Sequence, residues 1–181
     1  MADWSSLLAL AVSAAVAMAA ASTGAIFRPG DWYERLEKPS WTPPNWAFPV
    51  VWSALYLAMA VSAWLVWKAA GPAALLPLAA YGLHLLLNAG WSWIFFGLRR
   101  LDLAMAELVV FWASILGVIL LFAEISRPAA WLLVPYIAWV TIAGLLNGRL
   151  LALNGPRGLG WQAASADSRQ TPLQSASPPA N

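Results

Sequence analysis

The side chains in this sequence that could do chemistry are few, and they recur at helical spacing within apolar stretches. His84, Asn88, Trp91 and Phe95 stand at i, i+4, i+7 and i+11, which places them on one stripe of a helix. Trp52, Tyr56 and Met59 share a face of a second stretch, and Trp139, Ala143 and Asn147 share a face of a third. An indole offers a wide apolar face and one N–H donor, which suits stacking on a flat conjugated ring. A small residue such as Ala143 beside Trp139 leaves room for that ring. In this reading Asn88, with His84, supplies hydrogen bonds inside an otherwise aromatic cavity. The same polar residues would serve equally as hydrogen-bonding glue between helices. A lone histidine is a poor indication of a metal site, so His84 reads first as structural. No metal site is expected, and no cofactor is required.

Other chemistries lack their residues. The chain has no cysteine and one histidine, which leaves neither disulfides nor a thiolate or all-protein zinc site. No phosphate-binding loop, dinucleotide fingerprint, His-Glu-x-x-His or nucleophile elbow is present. Glu107 and Glu124 lie within about one turn of the ends of their stretch and are expected to reach the interface, as Arg149 does by snorkelling. No basic residue stands at matched spacing to make either glutamate a proton relay. The net charge of +2 is small and its basic residues lie between apolar runs, so nucleic acid is not expected as a partner.

The elements that position these residues follow from composition. Of 181 residues, 61% are hydrophobic and 10% charged, whereas a soluble domain carries roughly 25% charged residues. Lipid must therefore solvate the exterior. Five stretches reach the roughly 20 apolar residues needed to cross a hydrocarbon core, at about 4–27, 46–67, 73–98, 103–123 and 129–153. In hydrocarbon the backbone must satisfy itself, so these are helices. Pro77 and Pro135 within them mark kinks or first turns. The fold class is thus an all-α membrane protein, a bundle of five transmembrane helices occupying residues 1–155. The first stretch has Asp3 and no basic residue ahead of it, the wrong charge for a cleaved signal. Trp4, Trp46, Trp67 and Trp131 fit an interfacial aromatic belt, whereas Trp52 and Trp139 lie deeper and fit it less well. Arg28, Arg35, Lys38, Arg99, Arg100 and Arg157 outnumber Lys68 and Arg127 on the other side. That excess places the N-terminus outside and the C-terminus in the cytoplasm. Residues 28–45 form an aromatic, proline-stiffened loop, and 156–181 read as a disordered polar tail.

The run from Asp31 to Pro44, Asp-Trp-Tyr-Glu-Arg-Leu-Glu-Lys-Pro-Ser-Trp-Thr-Pro-Pro, closely resembles the first loop of the TspO/MBR family. That family comprises tryptophan-rich sensory proteins and the translocator protein, or peripheral benzodiazepine receptor. Phe48–Trp52, Asn88 with Phe95-Phe96-Gly97, and Val134–Trp139 match in the same order, so the resemblance spans essentially residues 4–154. It implies a five-helix bundle, often a homodimer, with a ligand pocket beneath the first loop. It also implies binding of porphyrins such as protoporphyrin IX and of benzodiazepine-type ligands. Matching positions put Trp52, Asn88, Trp91, Ser92, Trp139 and Ala143 around the ligand, with Tyr33 and Pro43 supplied by the loop; Phe95 continues the stripe. Trp52 and Trp139 match tryptophans linked to light-dependent porphyrin breakdown, the only enzymatic role the resemblance offers. A porphyrin receptor or sensor in a bacterial cell membrane, acting in tetrapyrrole regulation, is the expectation. A porphyrin exporter and an enzyme of porphyrin degradation are the alternatives. The family's sterol motif needs an aromatic and then a basic residue where Gly148 and Ala152 stand, so sterol binding is not predicted.

Overall fold

A computed structural model describes residues 4–27 and 30–158 of the chain. Every regular element among them is helical: α1 (Trp4–Ile26), α2 (Asp31–Glu34), α3 (Ala47–Ala70), α4 (Leu75–Ser92), α5 (Leu101–Ala123), α6 (Arg127–Leu132) and α7 (Val134–Asn154). Four apolar helical stretches are long enough to cross a membrane. One of them, Ala47–Gly97, would be about 75 Å long if straight. It folds back instead through a 3-10 turn at Gly71–Ala74, which separates α3 from α4.

Prolines and one strained turn set the boundaries. Pro49, Pro77, Pro128 and Pro135 each fall in the first turn of a helix, where a missing N–H costs no hydrogen bond. Pro135 also explains a difference from the sequence reading. The expected single helix over 129–153 is two, because α6 ends at Leu132 and α7 restarts at Val134. The helix expected over 73–98 likewise changes character: Trp93–Gly97 is a π-turn, with the Leu98 N–H donating to the Trp93 carbonyl at 2.9 Å. The helix expected from 103 begins at Leu101. The expected tail begins as a turn over 155–158, and from residue 159 it lies outside the described residues.

Packing is inverted relative to a soluble protein. Leu57, Leu76, Leu83, Leu86, Leu120 and Leu145 face outward, which only lipid can solvate. Trp4, Trp46 and Trp131 are each at least 69% exposed at or beside helix ends, as an interfacial belt requires. The interior is a continuous apolar core, with Met59, Val66, Phe122, Leu133 and Val140 at its centre. α1 packs on α3 and α4, and α5 packs on α4 and α7. α7 keeps its backbone close to α5 and α6, but reaches α3 and α4 mainly through side chains.

The Gly144–Gly148 pair is used inside this chain. A Cβ at Gly144 would stand 2.9 Å from Leu108 Cδ2 of α5, and one at Gly148 3.9 Å from Met105 Cε. Gly144→Val should therefore lower stability by roughly 1–3 kcal/mol through overpacking. Gly148→Ala should stay within about 0.5 kcal/mol of the parent. Thermal unfolding in detergent micelles compares the two.

Candidate functional site

Where α7 stands off from α3 and α4, aromatic and polar side chains fill the gap. Trp52 on α3 lies against Tyr56 at 5.4 Å between ring centroids and meets Tyr136 of α7 edge-on at 6.0 Å. One turn earlier, Phe48 meets Trp139 edge-on at 5.8 Å. On α4, Trp91 stacks on Phe95 at 4.8 Å. Trp52, Trp91 and Trp139 are all half-buried. Ala143 lies one turn beyond Trp139 and, like Ser92 at the end of α4, is half-buried.

Asn88 sits at the centre of a directed chain of hydrogen bonds. The Tyr56 hydroxyl donates to Asn88 Oδ1 at 2.6 Å, and Asn88 Nδ2 donates to the Tyr136 hydroxyl at 3.0 Å. The Tyr136 hydroxyl lies 3.0 Å from His84 Nε2, and His84 Nδ1 lies 3.1 Å from Ser114 Oγ. Ser114 donates to the Phe111 carbonyl at 2.6 Å. Ser114 is thereby committed as a donor, so His84 carries its proton on Nδ1 and accepts from Tyr136 on Nε2. Every link then runs one way, from α3 through α4 and α7 to α5. The His84 ring also stacks on Phe111 at 5.4 Å, which fixes it as part of the core. No group of three metal-ligating side chains occurs among the described residues.

The first loop closes this end of the bundle. Asn154, the last residue of α7, donates from Nδ2 to the Glu37 carbonyl at 2.9 Å and accepts from the Glu37 N–H at 2.8 Å. Trp32 Nε1 donates to the Arg157 carbonyl at 3.2 Å. Gly158, at φ +67°, packs so tightly on Leu36 and Trp32 that a side chain would not fit there. Tyr33 and Trp32 on α2 reach down to Phe95, at 6.2 and 5.9 Å, and Lys38 lies over the Tyr33 ring at 4.8 Å. Burial, then the neighbouring Glu34 charge, push the Tyr33 phenol above its usual value and keep it neutral. Pro43 is half-buried in the loop segment that leads into α3.

The chain was compared with known proteins. The model of the TspO/MBR family matches residues 7–153. The chain belongs to that family. It is similar to Protein CrtK of Rhodobacter capsulatus, 44% identical over 82% of this chain and 94% of that protein. It is also similar to the tryptophan-rich sensory protein of Cereibacter sphaeroides, 36% identical over 86% of this chain and 95% of that protein. The translocator protein of Bos taurus is 38% identical over 66% of this chain and 72% of its own length.

Within this TspO/MBR chain the sequence-predicted residues occupy one end of the bundle, on α3, α4, α7 and the first loop. The stripe of His84, Asn88, Trp91 and Phe95 does face inward, and the π-turn turns Phe95 toward the loop. Sequence reasoning passed over Tyr136 as a hub and Asn154 as a latch. Tyr136 is visible in hindsight, since it shares a helical face with Val140 and Asn147. Glu107 is a correction. It does not reach the interface, because both its carboxylate oxygens are enclosed and without a hydrogen-bond partner among the described residues.

Two variants separate core from lid. Tyr136→Phe leaves Asn88 Nδ2 and His84 Nε2 unpaired and should cost about 1–3 kcal/mol of thermal stability. Asn154→Ala should leave the helices intact but free the loop. Hydrogen exchange at the Glu37 amide, followed by mass spectrometry, should then rise at least about tenfold.

Proposed function

We propose that this protein is a membrane receptor or sensor that binds porphyrins and similar flat, apolar ligands. The site lies between α3, α4 and α7 beneath the first loop, and the protein acts in tetrapyrrole regulation. One observation carries this reading: Trp52, Trp91 and Trp139 are half-buried on the helices α3, α4 and α7, where the α7 backbone keeps away from α3 and α4. Flat conjugated ligands bind by stacking on indole faces, while Asn88 and its hydrogen-bonded neighbours hold the walls at fixed spacing. Tyr33 and Pro43 belong to the cover, and Phe95, Ser92 and Ala143 to the walls.

Five passes follow from α1, α3, α4, α5 and α7, each long enough for a hydrocarbon core of about 30 Å. The excess of Lys and Arg on the side of the first loop puts that loop and the C-terminus in the cytoplasm of a bacterial cell. A homodimer would use a surface other than the Gly144–Gly148 pair, which already packs on α5. The bovine relative is named a translocator protein, which favours porphyrin export as the second reading.

Titration of the purified protein with protoporphyrin IX in the dark, followed by tryptophan fluorescence, tests the site. Saturable quenching is expected, with binding weakened about tenfold in Trp52→Phe and in Trp139→Phe, the loss of roughly one aromatic contact. If both variants bind like the parent, the ligand lies elsewhere. Uptake of the porphyrin into liposomes carrying the protein would move the assignment to export. Light-dependent loss of the porphyrin that requires both tryptophans would move it to degradation.

A further inference from the structure

Three helices bring unpaired polar side chains to one level of the bundle, beside the indoles but outside the hydrogen-bonded chain through Asn88. On α4, Trp91 Nε1 is enclosed and has no acceptor among the described residues. On α5, both oxygens of Glu107 are enclosed without a donor. On α7, Asn147 is 1% exposed, and neither its amide nitrogen nor its oxygen has a partner. Contacts of Glu107 and of their chain neighbours bring α4, α5 and α7 together at these residues. A Cβ on Gly90, next to Trp91, would stand 4.0 Å from Glu107 Oε1. Leu108 and Met105, on either side of Glu107, touch Gly144 and Gly148, on either side of Asn147.

Such groups are costly to hold. A buried donor or acceptor without a partner loses its hydration and receives nothing in return. In the neighbouring hydrogen-bonded chain, by contrast, Tyr56, His84, Asn88, Ser114 and Tyr136 all find partners. The Tyr81 hydroxyl is unpaired as well, but it lies against Phe122 and His84, without a second unpaired group beside it. Three unpaired groups at one level, next to a stacking site, indicate a polar partner that arrives with the ligand.

We infer that Trp91, Glu107 and Asn147 form a subsite for a carboxyl group carried on the rim of the flat ligand. A carboxyl accepts from the Trp91 and Asn147 N–H groups and shares a proton with Glu107, so that no second negative charge enters the bundle. Gly90 matters because a glycine there lets the α4 backbone lie close against the Glu107 carboxyl. This assignment rests on the proposed porphyrin site, and it adds the requirement that the macrocycle carry a free acid.

The test compares protoporphyrin IX with its dimethyl ester, which keeps the ring and lacks the acids. The parent should bind the acid about tenfold or more tightly than the ester. Glu107→Gln and Asn147→Leu should each remove most of that preference while leaving ester binding unchanged. Trp52→Phe should weaken both ligands together. Equal binding of acid and ester by the parent, or an unaltered preference in both variants, overturns the subsite and leaves the porphyrin site standing. Binding of neither ligand removes the porphyrin reading itself. Thermal unfolding without ligand gives a readout that a structural role would move the other way. Asn147→Leu and Glu107→Leu should melt above the parent, since each removes an unpaired buried group. Melting below the parent would show that these groups already have partners in the ligand-free protein, and would overturn the proposal.

Discussion

A chain solvated by lipid cannot leave polar groups on its outside, so whatever polarity it needs must be paired within the bundle. The run of hydrogen bonds from Tyr56 through Asn88, Tyr136 and His84 to Ser114 is how this protein meets that constraint. It ties four helices together and spans the gap where the α7 backbone stands off from α3 and α4. Apolar contact alone would let α7 slide toward α3 and α4, because lipid and leucine are nearly equivalent surroundings for a leucine. A directed hydrogen-bond chain has one geometry, and it fixes the distance across which the indoles face one another.

The same constraint divides the tryptophans into two kinds. Those at helix ends sit with their faces outward, where the headgroup region accepts both an indole ring and its N–H. Trp52, Trp91 and Trp139 lie within the bundle, half-buried among aromatic neighbours, where a half-covered ring has no such reason to remain. The first loop then seals the gap from one end. It is held by backbone-like pairing between Asn154 and Glu37 rather than by charge, and the single ion pair among the described residues, Arg100 with Asp102, lies outside the latch. Those bonds act together with Trp32, Tyr33 and Leu36, which bury their side chains against Phe95, Leu146 and Leu150.

Much of this was legible in the sequence, for identifiable reasons. Length and apolarity locate helices because hydrocarbon allows little else, and the 3.6-residue period placed His84, Asn88 and Phe95 inward correctly. The breaks were harder to read. Pro135 signals a first turn and so the break before α7, but nothing local announces that α6 ends at Leu132, or that Trp93–Gly97 widens into a π-turn. Pairing across the bundle was not legible at all. Asn88 alone could have been glue or ligand contact, and only its two partners, 32 and 48 residues away, show that it bonds α4 to α3 and α7.

Glu107 shows most clearly where periodicity and proximity to a helix end diverge. Two turns into α5, it was close enough to the boundary to read as a residue that snorkels outward. The angular position of its neighbours decides otherwise. Ala104, Leu108 and Phe111 form the buried stripe of α5, and Glu107 stands at the edge of that stripe facing Gly90 of α4. A glycine on one helix lets the glutamate of the next lie close against its backbone, enclosed and unpaired. Beside a hydrogen-bonded chain whose members all find partners, an unpaired carboxyl, with an unpaired amide and indole at the same level, is best explained as one side of a contact completed by the ligand.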